Sequence, residues 1–239
     1  MQDNFCVSLS TIPSRFGTVK EVIRSLNIQT CRPKKIFLNI PFNYKRFPEI
    51  KNVNLDVFRE IKDDNFEIIR CEDYGPGTKL LGSAHLLKNF DYVVLVDDDH
   101  YYHRRMCEIF NKYFSLDKEC AYSFFTIKVY DLIMGQGADG FLLNPLHLDG
   151  ILDFYHKYVK NYKYCFLNDD FWISMYLCKF KKKKIISLED IIAKEIKKKN
   201  IYEKINFNQP LYKIYNKIFT RRNYAKYHYL RILLKEKFF

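Results

Sequence analysis

The stretch Val93-Val94-Leu95-Val96-Asp97-Asp98-Asp99-His100 drives four apolar, mostly β-branched residues straight into three adjacent carboxylates. A continuous apolar run of this length reads as a strand buried on both faces of a parallel or mixed sheet. The acids therefore begin where the strand ends, and in open α/β sheets ligands bind beyond the carboxyl ends of the strands. Three neighbouring aspartates repel one another and resist ionisation unless a cation or a set of hydrogen-bond donors compensates them. Hard oxygen ligands of this kind suit Mg²⁺ or Mn²⁺, with phosphates completing the shell. The plainer reading is a solvated turn whose acids cap the helix that follows.

On the N-terminal side of this strand the chain alternates strands with helices. Phe5 to Leu9 reads as a first strand, followed by a polar loop and a helix opened by the capping-box pair Thr18 and Glu21, with Val19, Val22, Ile23 and Leu26 at helical spacing. Ile36 to Ile40 and Phe66 to Cys71 read as strands, and Leu80, Leu81, Ala84 and Leu87 mark a helix before the strand at Tyr92 to Val96. The order is that of βαβ units around a mostly parallel sheet. Beyond the acids, Met106, Ile109, Phe110 and Tyr113 share a helix face, Ala121 to Ile127 and Phe141 to Leu143 are strand candidates, and helices are expected over 148–159 and 169–180. No internal repeat or Gly/Ser linker interrupts residues 1–190, which read as one domain; residues 191–239 read as a basic, aromatic-rich, helical extension.

A chain of 239 residues that is 48% apolar and 17% aromatic supports a substantial core, which excludes disorder as its main state. Seven cysteines, an odd number without a C-x-x-C pair, suggest neither a zinc ribbon nor a closed disulfide framework, and a reducing, cytoplasmic setting fits them. The start MQDNFCVSLS lacks the basic and apolar regions of a secretion signal, and no run approaches the length of a membrane span, so neither is expected.

Four loops carry the residue types that chemistry needs. Thr11-Ile12-Pro13-Ser14-Arg15 offers hydroxyls and a guanidinium to a nucleotide, although a polar loop needs no ligand to explain it. In Asp73-Tyr74-Gly75-Pro76-Gly77-Thr78-Lys79 the glycines and proline fix an irregular backbone, and the lysine falls at a helix start where the dipole favours anions. A cation there needs a paired anion, which argues for phosphate, yet Walker A spacing is absent and a tight turn with an exposed lysine is the alternative. His100-Tyr101-Tyr102-His103 contains a His-x-x-His pair; with oxygen ligands at hand the histidines read as supporting or packing residues, and a single imidazole ligand stays open. Asp169 and Asp170, before Phe171-Trp172, are either an N-cap and dipole device or a general base for a hydroxyl nucleophile.

Taken in order, TIPSR (11–15), DYGPGTK (73–79), VLVDDDHYYH (94–103), GADGFLL (137–143) and NDDFWIS (168–174) resemble the GT-A glycosyltransferases over residues 5 to 180. Within them the pattern is most similar to a small group of compact, family-2-like enzymes found in viruses and bacteria. The resemblance implies a Rossmann-like three-layer α/β/α sandwich that binds a nucleotide diphosphate sugar, with UDP-sugars favoured. It implies that Asp97 and Asp99 hold Mn²⁺ or Mg²⁺ at the donor diphosphate, with Asp98 adjacent. Thr11, Pro13 and Arg15 then belong to the nucleotide site, Asp73 contacts the base, Lys79 meets the phosphate, and Gly75 is counted with the donor-binding residues. The segment 137–140 falls near donor sugar and acceptor. Asp170 becomes the base of an inverting, hexosyl-type transfer and Asp169 orients the acceptor or the base. The acceptor is expected to be a hydroxyl of a glycan, glycolipid or glycoprotein.

The charge is lopsided, which bears on partners. Residues 179–239 carry 18 Lys and Arg against 5 Asp and Glu, while residues 1–178 carry 22 against 23. A solvated lid packed on the domain, peripheral contact with a membrane surface, and nucleic-acid binding all use such a tail. No nucleic-acid module accompanies it, so that third reading is the weakest. Two alternatives to transfer remain at this level: a sugar nucleotidyltransferase, disfavoured because the first loop has no glycine before Gly17, and a non-enzymatic polyanion- or sugar-binding module.

Overall fold

The computed structural model describes residues 4–196, 201–205 and 221–236. The strands are β1 (Phe5–Ser10), β2 (Lys35–Pro41), β3 (Phe66–Cys71), β4 (Tyr92–Leu95), β5 (His100–Tyr102), β6 (Ala121–Ser123), β7 (Thr126–Val129), β8 (Leu132–Gly135), β9 (Phe141–Leu143), β10 (Ile185–Ser187) and β11 (Tyr202–Lys204). The helices are α1 (Val19–Asn27), α2 (Thr78–Leu81), α3 (Ala84–Leu87), α4 (Met106–Leu116), α5 (Ile151–Tyr158), α6 (Lys163–Phe166), α7 (Asp169–Met175), α8 (Glu189–Ile191) and α9 (Arg221–Glu236).

Seven strands form one sheet in the order β10-β6-β9-β4-β1-β2-β3. All its pairings are parallel except those of β9, which runs antiparallel between β4 and β6. Alternation along the strands builds the two outer layers. Phe5, Val7, Leu9, Tyr92, Val94 and Val96 pack toward α1 and α4, whereas Cys6, Val93 and Leu95 pack with the apolar side chains of α2, α3, α5 and α7. The α/β/α sandwich with a mostly parallel sheet is therefore present, and β1 to β4 end on one rim. No helix among the described residues is long and apolar enough to cross a membrane.

Several elements differ in detail from their sequence signals. The helix expected over 80–87 is two single turns, α2 and α3, separated at Gly82 and Ser83. Gly82 has little room for a side chain: a Cβ would lie 2.7 Å from Asn39 Oδ1 and 2.8 Å from Cys71 Sγ. The strand candidate 121–127 breaks after Ser123, and β7 pairs instead with β8 in a separate hairpin. Thr18 starts α1 but makes no capping box, because its helical backbone turns the hydroxyl back to donate to Arg15 O at 3.0 Å. β10 was hidden behind four consecutive lysines; it joins the sheet edge beside β6. The basic tail is helical at α9 and also contributes β11, which pairs antiparallel with β5. Its remaining parts, residues 197–200, 206–220 and 237–239, lie outside the described residues.

Two glycines of the 73–79 loop seat it on the helical layer. Gly75 has φ +64°, and a Cβ there would lie 2.7 Å from the Phe166 ring; at Gly77 it would lie 2.4 Å from Trp172 Cζ2. Loop and α7 thus interlock by backbone against aromatic ring. Gly77→Ala is expected to cost about 1–3 kcal/mol through overpacking, read as a lower urea midpoint at unchanged m-value; an unchanged midpoint would mean that Trp172 yields freely.

Candidate functional site

The loops after β1, β2, β3 and β4 converge with the start of α7 on a cleft of about 260 Å³. Thr11, Arg15, Asp73, Gly75, Lys79, Asp97, Asp98, Asp99, Asp169 and Asp170 all line it. Pro13 does not; it opens the short turn Pro13–Arg15 that carries Arg15. The loop after β2 adds Tyr44, Arg46 and Phe47, which the sequence reading left unassigned. Their signal was an aromatic and basic run, Phe42 to Phe47, directly after a buried strand.

The three acids after β4 have different surroundings. Asp98 turns toward the first loop, where Thr11 Oγ1 donates to Oδ2 at 2.6 Å and Arg15 Nη1 to Oδ1 at 2.5 Å. Asp98 therefore anchors the loop after β1. Asp97 and Asp99 with His100 each offer a ligand atom within 4.8 Å of the others, and Asp99 Oδ2 also lies 3.5 Å from Arg15 Nη2. His100 Nδ1 lies 2.7 Å from Asp99 Oδ1 but is buried without an aligned hydrogen bond. Two carboxylates, with a ring nitrogen held against one of them, form a donor set that fits Mn²⁺ and, through its oxygens, Mg²⁺. His100 thus belongs with the acids, while His103 turns away and accepts the Arg105 N–H at 3.3 Å.

Lys79 is the cation at the centre. It is 4% exposed, pairs with Asp97 through a short hydrogen bond, and lies 3.0 Å from Asp169 Oδ2. Burial disfavours its charge, but Asp169, Asp97 and Asp170 outweigh burial and push its pKa up. The anion that the helix-start lysine pairs with here is protein carboxylate.

Asp169 and Asp170 are not caps. Asn168 takes that role, its side chain accepting the Phe171 N–H at 3.4 Å, which leaves both aspartates buried on the cleft wall. Gly137 N–H donates to Asp170 Oδ1 at 2.8 Å. A Cβ on Gly137 would lie 2.8 Å from Lys79 Nζ and 3.3 Å from Asp170 Oδ1, so the 137–140 segment reaches the acids only because it begins with glycine. Asp73 holds its own loop: its Oδ1 accepts from Gly75 N at 2.7 Å and its Oδ2 from Lys45 N at 2.6 Å.

The C-terminal segment closes the back of the site. Ile205 N–H donates to Asp99 O at 3.0 Å, and the Tyr202 ring meets His100 edge-on at 4.0 Å. Tyr102 ties two loops together, its hydroxyl accepting the Asp97 N–H at 2.9 Å and donating to Ala138 O at 3.2 Å.

Against solved structures, the chain aligns with S. aureus TarS residues 1–349 bound to UDP-GlcNAc at TM-score 0.58 and 14% identity, covering 98% of this chain and 66% of that one. It aligns with a mannosyltransferase of Pyrobaculum calidifontis, solved with GDP-Man and Mn²⁺, at TM-score 0.55 and 12% identity, covering 80% and 56%. The fold is GT-A-like. The chain spans between about half and two thirds of these relatives' length. No family model matches the sequence, and no curated protein does.

Asp139, on the buried segment whose Gly137 bonds Asp170, gives a pH signature. Burial first, then Asp97 and Glu189, push its carboxyl up to about 7, with His100 opposing them. A carboxyl raised on folding binds more protons native than unfolded, so stability falls as pH rises between the unfolded and folded pKa values. In EDTA, Asp139→Asn is expected to gain stability over the parent progressively from about pH 4 to about pH 7, by a few kcal/mol in total. A pH-independent difference in urea midpoint would show that Asp139 titrates normally.

Proposed function

We propose that the chain is a metal-dependent glycosyltransferase that moves a sugar from a nucleotide diphosphate sugar, preferably a UDP-sugar, to a hydroxyl of a glycan, glycolipid or glycoprotein. The observation that carries this reading is one cleft in which Asp97 and Asp99, grouped with the buried His100, face the helix-start acids Asp169 and Asp170, with Lys79 between them. The nucleotide-sugar complexes of the two aligned proteins support it.

Asp97, Asp99 and His100 would hold Mn²⁺ or Mg²⁺, which when bound would neutralise charge on the departing diphosphate. Lys79 adds a fixed positive charge beside that phosphate. Thr11 and Arg15, the latter carried by the turn that Pro13 opens, form the nucleotide end with Asp73 and Gly75, and Tyr44 and Phe47 supply aromatic surface to the base. In the transfer, the bond from the anomeric carbon to the diphosphate oxygen breaks and its electron pair leaves with the diphosphate. A bond to the acceptor oxygen forms, and the hydroxyl proton passes to Asp170. Gly137 N–H fixes one oxygen of that carboxyl, and Asp169 orients the acceptor. A base on the face opposite the leaving group makes the displacement inverting. Burial of five of the seven cysteines suits thiols kept reduced in a cytoplasmic setting.

Three measurements test the reading. With Mn²⁺, nucleoside diphosphate release is expected from one member of a UDP-, GDP- and dTDP-sugar panel, with kcat lowered about 100-fold or more in Asp99→Asn and Asp170→Asn; NMR of the product anomer checks inversion. Release that is equal in EDTA would sink the metal's part, and silence across the panel without calorimetric donor binding would sink the enzyme. In Mn²⁺ titrations followed by EPR without donor, His100→Ala is expected to bind about tenfold more weakly or worse. Lys79→Met is expected to bind more tightly, since Asp97 loses a competing cation; equal affinity would mean that lysine and metal do not compete.

A further inference from the structure

α9 leaves one stripe of its surface uncovered. Tyr227, Leu230 and Leu234 stand three and four residues apart, on one face of the helix, and are 63%, 41% and 65% exposed. The opposite face is firmly docked: Ala225, Tyr229, Ile232 and Leu233 are buried in the core layer that holds α5, α6 and α7. Arg231 Nη2 donates to Tyr158 O at 2.6 Å while its guanidinium stacks on Tyr162 at 3.5 Å, and Lys157 pairs with Glu236 at 2.9 Å. A helix held this way presents its stripe to the outside by construction.

Lysines flank the stripe. Lys226 Nζ lies 5.7 Å from the Tyr130 ring and Lys235 Nζ 5.4 Å from the Tyr158 ring, and neither has an acidic partner among the described residues. Tyr130 is itself half exposed beside the helix. A nucleic acid would engage the lysines but leave the leucines in water. An apolar protein face would cover the leucines but give the lysines no counter-charge. An anionic bilayer satisfies both, taking leucines and ring edges at the acyl boundary while lysine stems reach up to headgroup phosphates.

We propose that α9 is an interfacial helix that docks the protein on an anionic lipid surface, with Tyr227, Leu230 and Leu234 inward and Lys226 and Lys235 at the headgroups. The balance of +13 over residues 179–239, against −1 for the remainder, directs the electrostatic attraction to this end of the chain. The proposal deepens the glycolipid-acceptor part of the function proposed above, since it would hold the cleft beside a membrane. It does not depend on donor chemistry, so lipid binding and donor turnover can fail separately.

The test is co-sedimentation of the full chain with phosphatidylcholine vesicles, with and without about 30 mol % phosphatidylglycerol, at low and high salt. Binding is expected only to the anionic vesicles and is expected to weaken with salt. Lys226→Gln with Lys235→Gln should lower partitioning roughly 30-fold, and Leu230→Ser with Leu234→Ser at least about tenfold. The double variants change exposed side chains, with Lys226 only partly covered, and should keep the parent's circular dichroism melt and donor turnover. Equal binding to neutral vesicles, or unchanged partitioning of either variant, would overturn the proposal. So would a parent dimer that the leucine variant converts to monomer, which would assign the stripe to self-association, or displacement of the parent from vesicles by RNA with the leucine variant binding RNA unchanged.

Discussion

One buried ammonium holds the site together. Lys79 meets Asp97 from the end of β4 and Asp169 from the start of α7, and these belong to segments some 70 residues apart in sequence. Without it, the carboxylates crowding this cleft would be forced to take up protons or move apart. A buried ion pair of this kind is weak evidence of stability, because desolvation offsets much of the attraction. What it does is tie the loop after β3 to the ends of both β4 and α7. Packing enforces the same arrangement independently, since Gly75 and Gly77 let the lysine's loop press against Phe166 and Trp172, next to the helix that carries the acids.

Much of this was legible in the sequence, and the reasons are local. A continuous apolar run announces β4, and largely apolar runs broken by Ser8, Asn39, Glu67 and Arg70 announce β1, β2 and β3; polar or glycine-rich loops follow these strands and mark the rim. Less legible was anything decided by side-chain direction. Asp97, Asp98 and Asp99 are identical on paper, but Asp98 bonds Thr11 and Arg15, Asp97 pairs with Lys79, and Asp99 lies between His100 and Arg15. Asn168, Asp169 and Asp170 are three adjacent cap-forming residues, and only the backbone decides that Asn168 caps and the acids face the cleft. β10 was masked because four lysines on its approach outweigh three apolar or small residues in any composition window.

Contacts across long sequence separations were beyond local pattern altogether. Tyr202 and Ile205 belong to the tail by composition, yet they pack on His100 and bond the Asp99 carbonyl. The strand β11 has no strong alternation, and its partner β5 is only three residues long. Such a pairing is stabilised by what it covers: a two-stranded ribbon is marginal alone, and here it rests on a buried imidazole and a buried tyrosine. Tail and cleft are thus mechanically joined, and a shift of residues 201–205 would be felt at the acid loop.

The cleft's charge count bears on the cation of the proposed function. Six aspartates line it against Arg15, Arg46 and Lys79, a local excess of three negative charges in a chain whose net charge is +12. The distant lysines of the tail cannot correct this, since beyond roughly 8–10 Å exposed charges are largely screened at physiological salt. A diphosphate approaching such a rim would be repelled by it. One divalent ion at Asp97, Asp99 and His100 would remove two of the three excess charges, and it would also compete with Lys79 for Asp97. The ammonium displaced from Asp97 would still be held by Asp169, placed to meet incoming phosphate oxygens. On the proposed function, the lysine therefore compensates the acids before the donor arrives and the phosphate afterwards, and the same positive charge serves both states.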